Sequence, residues 1–366
     1  MYDVVLLTLA SERGAGSGCG SGDSCCGSSA GADATRDRTG DATGADVPGQ
    51  ATGADASGHT SADRADRADG AGPDTCGTPR VPVLTCADAL TARGARVETV
   101  TARSDAEIDA VLARLDGPAR DDGLTWPDPD PKTRLVVATA SDGQLRAVLR
   151  RLVRRYAPPS SRRPVDLPDN RTVPDLPAIG VLPLDPARGA APRDLAAQLG
   201  LPRDPVAVAN AVLDGPVRRL DLLRNDAGSV TLDGALLGAA DEAGRPLAWR
   251  GRVEVDDSVL STGDDPLLAC AVGNAAGYAT LDGLPLLTAP DPGDGVVEVA
   301  VAVPVFARAP LGRKRVRVEV RRARGRAVSV TPRDEDVPFL DDGVEGKLNR
   351  KRSWWIEPGA WGVHTG

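Results

Sequence analysis

The sequence predicts an α/β amino-terminal domain with a parallel sheet, followed by a β-rich carboxyl-terminal domain of the β-sandwich type. As far as residue 213, apolar runs of strand length alternate with segments of helical spacing. Beyond that residue, short segments of alternating polarity follow one another and are separated by Gly- and Asp-rich turns. Hydrophobic residues make up 41% of the 366 residues, which is enough apolar material for two domains of ordinary size.

The amino-terminal part alternates strands and helices. Its predicted strands are Tyr2–Leu9, Arg96–Thr101, Leu135–Thr139 and Ala178–Pro183. Its predicted helices are Pro82–Arg93, Ser104–Leu115, Leu145–Leu152, Arg193–Leu199 and Pro205–Leu213. Ser104 and Glu107 form a capping pattern at the start of the second helix, and Gly94 ends the first. This alternation indicates parallel strands joined by right-handed crossovers.

The segment 11–79 interrupts this alternation after the first strand. It consists almost entirely of Gly, Ala, Ser, Asp and Thr, so it cannot bury enough apolar surface to offset its ordering entropy, and we expect it to be disordered. Four of the six cysteines, Cys19, Cys25, Cys26 and Cys76, lie in this segment. A disulfide framework is therefore not expected, and we expect the protein to reside in a reducing cytoplasm.

The carboxyl-terminal part is predicted to be built from strands alone. The candidates are Arg218–Leu223, Ser229–Leu232, Ala235–Ala240, Gly251–Val255, Pro266–Gly273, Val296–Pro304, Arg315–Arg321 and Ala327–Pro332. We expect the α/β domain to comprise residues 1–10 and 80–213 and the β-rich domain residues 214–340. Residues 341–366 are expected to close back on the fold, and the tryptophans there, Trp354, Trp355 and Trp361, are expected to pack.

The composition and net charge restrict the kinds of molecule that we expect the protein to bind. The formal net charge is -8 and aromatic residues make up only 3%, a composition that suits a halophilic cytoplasm. An acidic balance argues against a nucleic-acid partner. No stretch is long and apolar enough for a transmembrane segment, and the amino terminus lacks the basic region of a signal peptide. A cytoplasmic protein is therefore expected.

The segment Arg134–Leu152 is the strongest candidate for a binding turn. An apolar strand is followed by Ser141, Asp142 and Gly143 and then by helical spacing. In α/β sheets ligands bind at the carboxyl ends of strands, where a glycine lets the backbone approach a phosphate and a helix amino terminus favours an anion. The alternatives are that the unit is only scaffold and that Asp142 caps the helix.

The order of several motifs resembles that of the diacylglycerol kinase-like lipid kinases, which include the sphingosine kinases. The matching segments are Val136–Gln144, Ile179–Leu184, Leu199–Pro202, Ala271–Ala276, Ala289–Val297, Val337–Glu345 and Ile356–Ala360. They would make the chain a divergent member, because the family's GGDGT motif stands here as residues 140–144 without its first two glycines and its threonine. The family's GTgND loop is replaced by Asp185–Asp194.

The resemblance implies ATP and Mg²⁺ as cofactors. It implies that Ser141, Asp142 and Gly143 contact the nucleotide and that Asp294 and the carbonyl of Val296 hold the cation. An ordinary Asp-Gly turn is the alternative for Asp294.

The resemblance also implies two catalytic residues, Asp142 and Glu345. Glu345 is the nearest match to the family's proton-accepting glutamate, which follows Asp-Gly directly, whereas Val344 intervenes here. That offset either points the carboxylate to the other face of the strand or is absorbed by a bulge.

Two functions follow from these observations. The first is ATP-dependent phosphoryl transfer to a lipid hydroxyl of the diradylglycerol or sphingoid type, which would bring the protein to the membrane surface as a peripheral enzyme. The second is a catalytically inactive relative that binds a nucleotide, lipid or protein as a regulator. NAD kinase, which shares the GGDG-type turn, is a third interpretation, and a homodimer is left open.

Overall fold

The chain is described here from a computed structural model, which covers residues 2–10, 80–184, 194–275, 280–281, 284–288, 290–308, 314–334 and 336–366. The expected disorder of residues 11–79, the four cysteines in that segment, and most of the Asp185–Asp194 loop lie outside the described residues. None of the helices within these ranges has the length and apolarity needed to cross a bilayer.

The predicted alternation of strands and helices is found in the amino-terminal part. Its strands are β1 (Asp3–Leu9), β2 (Arg96–Ala102), β3 (Thr133–Thr139) and β4 (Ala178–Pro183). Its helices are α1 (Arg80–Ala92), α2 (Asp105–Leu112), α3 (Asp142–Tyr156), α4 (Leu195–Gln198) and α5 (Pro205–Asp214). The four strands are parallel in the order β2-β1-β3-β4.

The described residues after α5 form strands. They are β5 (Val217–Asn225), β6 (Val230–Thr231), β7 (Gly234–Leu237), β8 (Ala239–Ala240), β9 (Pro246–Leu247), β10 (Trp249–Val255), β11 (Ser258–Leu267), β12 (Ala269–Gly273), β13 (Thr280–Leu281), β14 (Leu284–Pro285), β15 (Val297–Arg308), β16 (Lys314–Gly325), β17 (Ala327–Pro332), β18 (Val337–Asp341), β19 (Val344–Leu348) and β20 (Arg352–His364). The predicted fold class, an α/β domain followed by a β-rich part, is confirmed.

Two sheets contain most of these strands. The larger runs β11-β10-β17-β20-β4-β3-β1-β2, and β5 also pairs with β20. The smaller is antiparallel in the order β16-β15-β12-β7-β18-β19. The carboxyl-terminal strand β20 is antiparallel to β17 and β5 and parallel to β4, so it joins the β-rich part to the parallel sheet.

The parallel sheet is buried on both faces, because α1 and α5 cover one face while α2 and α3 cover the other. Side chains of β3 alternate between the two: Leu135 and Val137 pack with α3, whereas Val136 and Ala138 pack with α5. The sequence of the strand is therefore apolar at each position from Leu135 to Ala138. A separate core lies between the β-rich strands of the two sheets, and Val253, Trp354 and Val299 all belong to it.

Two predicted strands are broken in the structure. The predicted strand Ala235–Ala240 divides into β7 and β8 at Gly238, whose φ of 124° few other residues adopt. The predicted strand Pro266–Gly273 divides at Leu268, where the chain leaves the larger sheet and enters the smaller one. Hydrophobic periodicity does not reveal such a change of sheet, because both sides of the break are apolar.

Candidate functional site

The turn after β3 is built as a helix cap. Ser141 is the N-cap of α3, and its Oγ accepts a hydrogen bond from the amide of Gln144 at 3.3 Å. The Gln144 side chain in turn accepts from the amide of Ala140 at 2.8 Å. This reciprocal pair satisfies amides at the start of the helix. The capping role considered for Asp142 therefore belongs to Ser141.

Asp142, the next residue, points into the protein. It is 7% exposed, and its Oδ2 accepts a hydrogen bond from the amide of Leu195 at 3.4 Å. Asp194 caps α4 through the amide of Ala197 at 3.1 Å and forms an ion pair with Arg203 at 2.8 Å. The cavity beside Asp142 has a volume of only about 10 Å³, which is about the space of one water molecule.

Gly143, the third residue of the predicted phosphate turn, is covered by the tip of the β18–β19 hairpin. A Cβ built on Gly143 would lie 3.1 Å from Cγ2 of Val344 and 3.7 Å from the carbonyl oxygen of Asp342. A side chain at this position would therefore press against the hairpin.

A buried carboxylate anchors this hairpin. Asp342 is fully buried, and its oxygens accept hydrogen bonds from the amides of Leu232 (2.7 Å), Asp233 (2.9 Å) and Gly234 (3.2 Å). Its φ of 48° lies in the left-handed region, which aspartate tolerates better than most residues. The hairpin tip is thus tied to the chain between β6 and β7.

Arg146 of α3 completes the anchor from the other side. Its Nη2 donates to Oδ2 of Asp341 at 2.6 Å, and its Nε lies 3.8 Å from Oδ2 of Asp342. It also donates to the carbonyl oxygen of Val230 at 2.6 Å. One guanidinium therefore serves two buried carboxylates, and the resulting cluster holds the hairpin against α3.

Glu345 lies on the opposite face of the hairpin. In the β18–β19 register Asp341 pairs with Val344, while Leu340 pairs with Glu345, so the two pairs project to opposite faces. The first pair faces α3, because Asp341 contacts Arg146 there. Glu345 is exposed, and the structure does not bring it to Asp142.

The protonation of the Asp341–Asp342 pair gives a testable pH dependence. Burial raises the pKa of both carboxyl groups, and the charge of Asp341 raises the pKa of Asp342 further. Between the ordinary aspartate pKa of about 3.9 and the raised value, the folded state binds more protons than the unfolded chain. The pair's contribution to stability is thus complete at low pH and is lost as the pH rises through the raised pKa.

Replacing Asp341 by asparagine removes one of the two charges while an amide oxygen remains to accept from Arg146. We expect this variant to gain stability relative to the wild type as the pH is raised from about 5 to about 8. Urea unfolding of both proteins at the two pH values measures the difference. A difference that stays constant between them would contradict the raised pKa.

The two residues predicted to hold Mg²⁺ lie in the turn before β15. Oδ1 of Asp294 accepts from the amide of Val296 at 3.1 Å, and the same carboxylate forms an ion pair with Arg324. Asp221, which sequence analysis did not single out as a site residue, accepts from the amides of Gly295 and Gly359, both at 2.7 Å. Burial raises the pKa of Asp221.

Each oxygen of these two carboxylates already has one donor of the protein, so a divalent cation would have to compete with these donors and with the charge of Arg324. Across the ranges that the structure describes, no group of three or more His, Cys, Asp and Glu side chains is arranged to hold a metal ion. A sequence signal for Asp221 does exist, since a carboxylate between Leu220 and Leu222 is unusual in an apolar strand. Arg146 gives no such signal, because it belongs to a basic helix surface.

Comparison with known proteins identifies the fold. No family model matches the sequence, and a search of curated proteins finds no match. A diacylglycerol kinase from Bacillus anthracis str. Sterne has a TM-score of 0.51 at 13% identity, covering 78% of this chain and 91% of its own. A putative diacylglycerol kinase from the same organism has a TM-score of 0.51 at 12% identity, covering 78% and 92%.

An NAD kinase from Archaeoglobus fulgidus in complex with ATP has a TM-score of 0.42 at 13% identity, covering 77% of this chain and 89% of its own. At the identities of the two Bacillus proteins the likeness concerns the fold alone. The chain shares the fold of the diacylglycerol kinases, as the motif order predicted.

Proposed function

We propose that this chain is a non-catalytic protein with a diacylglycerol kinase-like fold, which uses that fold to bind a ligand or partner. One observation carries the proposal: Val344 packs against Gly143, and it stands directly after Asp342-Gly343, where the family has its proton-accepting glutamate. A valine side chain accepts no proton, and phosphoryl transfer needs a group that orients or deprotonates the attacking hydroxyl. Glu345, the nearest carboxylate in sequence, projects from the other face.

The predicted nucleotide contacts support the same conclusion. A phosphate cradle needs free backbone amides and close approach of the backbone. Here the amides of Ala140 and Gln144 already have side-chain partners, and the buried carboxylate of Asp142 would repel a phosphate. Ser141, Asp142 and Gly143 therefore fit a capped and packed helix start better than they fit ATP.

A lipid kinase is the second candidate. The observation in its favour is a cavity of about 560 Å³ lined by Asp221, Asp294 and Gly295, next to Val296, where the resemblance predicts Mg²⁺. This candidate requires Arg324 to release Asp294 and ATP to displace the hairpin from Gly143. A diradylglycerol or sphingoid lipid at a membrane surface would then be the substrate. The first candidate requires neither rearrangement.

Titration with Mg²⁺-ATP separates the two candidates. We expect no binding heat up to about 1 mM ATP and no phosphate transfer to diacylglycerol in lipid vesicles, with a protein that unfolds cooperatively in urea. Replacing Asp142 by alanine should instead act on stability. It leaves the buried amide of Leu195 without its acceptor, so we expect the free energy of unfolding to fall by about 1–3 kcal/mol.

The matched control is Asp257→Ala, at an exposed turn residue, which should leave stability within about 0.5 kcal/mol of the wild type. Micromolar ATP binding that is retained by this control and lost with Asp142→Ala would contradict the proposal. That result would favour the lipid kinase.

A further inference from the structure

A second cavity lies at the edge of the parallel sheet opposite the Ser141 turn. It has a volume of about 680 Å³ and is lined by residues at the starts of β3, β4 and β5, among them Thr133, Ala178 and Val217. The length of β3 separates this amino-terminal edge from the turn by about 20 Å. Its volume is within the range of small-molecule sites, about 300–1,000 Å³.

Three arginines line this cavity, and two of them are fixed largely by uncharged groups. The guanidinium of Arg134 lies 3.6 Å from the ring centroid of Tyr2 and donates to the carbonyl oxygen of Leu213 at 2.8 Å. Arg219 donates to the carbonyl oxygen of Leu176 at 2.8 Å. Carbonyls and a ring orient these guanidinium groups without neutralising them, and the exposed carboxylate of Asp175 lies 3.9 Å from Arg219, so an anion that displaces Asp175 would meet both charges.

The third arginine, Arg171, has two buried nitrogen atoms without a hydrogen-bond partner. Within the described residues, Nε1 of Trp126, Nε and Nη2 of Arg171 and Nδ1 of His364 form no hydrogen bond, and all three residues line the cavity. Arg171 is 9% exposed and His364 is 6% exposed. Nδ1 of a neutral imidazole can be an acceptor, so the clear unpaired donors are those of Trp126 and Arg171, and they are closed to solvent.

The ion pair between Arg171 and Asp175 defines the ligand group more closely. Nε and Nη2 of Arg171 are closed to solvent, so the nitrogen left for a ligand anion is Nη1. This nitrogen pairs with Asp175. Asp175 also lies 3.9 Å from Arg219, and its side chain is 61% exposed. An exposed carboxylate thus bridges the two arginines, at a place where a ligand anion would compete with it.

The remaining walls restrict the rest of the ligand. Six prolines line the cavity and supply apolar surface without a donor. Asp128, Asp130 and Asp166 also line it, and Asp166 pairs with Arg120. These carboxylates would repel a polyphosphate, so a ligand with one anionic group and an apolar body suits the cavity better.

We propose that this cavity binds a small organic anion, whose single phosphate or carboxylate group is held by Arg171 and Arg219 in competition with Asp175. The apolar body of the ligand lies against the prolines. The site is independent of the turn at Ser141 and of whether the protein transfers phosphate, and it gives the fold a ligand at its other edge.

Calorimetric titration with phenyl phosphate and with benzoate tests the site, and inorganic phosphate shows what the apolar body adds. We expect at least one of the two aromatic anions to bind more tightly than inorganic phosphate. Replacing Arg171 by glutamine should weaken binding about tenfold or more, because one of the two charged contacts is lost. Replacing Asp175 by asparagine should strengthen binding about threefold or more, because the competing carboxylate is removed.

A third variant tests the cavity without changing its charge. Val217 is 45% exposed, so Val217→Trp narrows the cavity without disturbing the core and should weaken binding. The matched controls are Val259→Trp, at a residue 49% exposed on β11, and Arg250→Gln, at an exposed residue of β10. Both controls should bind as the wild type does.

Three results would overturn the proposal: no binding of either aromatic anion up to about 10 mM, a Val217→Trp variant that binds as tightly as the wild type, or an Asp175→Asn variant that binds more weakly. If Arg171→Gln does not fold, Val217→Trp and Asp175→Asn still test the proposal, because their expected effects on the affinity are opposite. ATP binding that is lost with Asp142→Ala but kept with Val217→Trp would overturn the proposed function alone.

Discussion

Replacing Asp342 by alanine is expected to lower the free energy of unfolding by about 3–5 kcal/mol. The change leaves three buried amides, those of residues 232–234, without their acceptor. It also places alanine at a φ of 48°, where a Cβ without a polar group is disfavoured. Urea unfolding at constant pH, with the slope of the transition compared between variants, gives the loss.

Two further substitutions at this residue separate the causes. Asp342→Asn keeps an oxygen acceptor and tolerates the left-handed backbone, so we expect it to lose only about 1–2 kcal/mol. Asp342→Gly relieves the backbone but restores no acceptor, so it should stay close to the alanine variant. An alanine variant within about 0.5 kcal/mol of the wild type, or full recovery with glycine, would show that the three hydrogen bonds do not anchor the hairpin.

Replacing Trp361 by alanine is expected to cost about 3–5 kcal/mol, because it removes a fully buried aromatic side chain from the core under the parallel sheet. Its Nε1 donates to the carbonyl oxygen of Asp221 at 3.0 Å, and that contact is lost as well. Thermal and urea unfolding both measure the effect. β20 pairs with β4, β5 and β17, so we expect one cooperative transition at lower stability.

Trp355 of the same strand is the matched control. It is only half buried, and Trp355→Ala should cost about 1–2 kcal/mol, mainly through the hydrogen bond from its Nε1 to Glu357 at 2.9 Å. Equal losses for the two tryptophans would contradict the assignment of Trp361 to the central core.

Local patterns were sufficient to predict much of the fold. The strand–turn–helix unit around β3, the N-cap at Ser104 and the packing of Trp354 and Trp361 are all confirmed. Each of these depends on neighbours in sequence or on composition. The change of sheet at Leu268 was not predicted, because it depends on which strands lie beside the chain and not on the residues themselves.

The candidate site was harder to predict for the same reason. The contact between Arg146 and Asp341 joins residues 195 positions apart, and the basic surface of α3 looks solvated from sequence alone. The face from which Glu345 projects depends on the register at the tip of the hairpin. The sequence alone did not decide whether the extra residue reverses that face or is absorbed by a bulge. The roles of Asp142, Glu345, Asp294 and Val296 in binding or catalysis stay predictions.

The position of β20 in the larger sheet has a consequence for synthesis of the chain on the ribosome. Until β20 emerges, one edge of β4 has no neighbouring strand, and an unpaired edge invites pairing with other chains. About 180 residues separate the end of β4 from the end of β20. At a translation rate of about 5–20 residues per second, roughly 10–40 s pass between the synthesis of β4 and that of β20. During this period a chaperone would protect the unpaired edge.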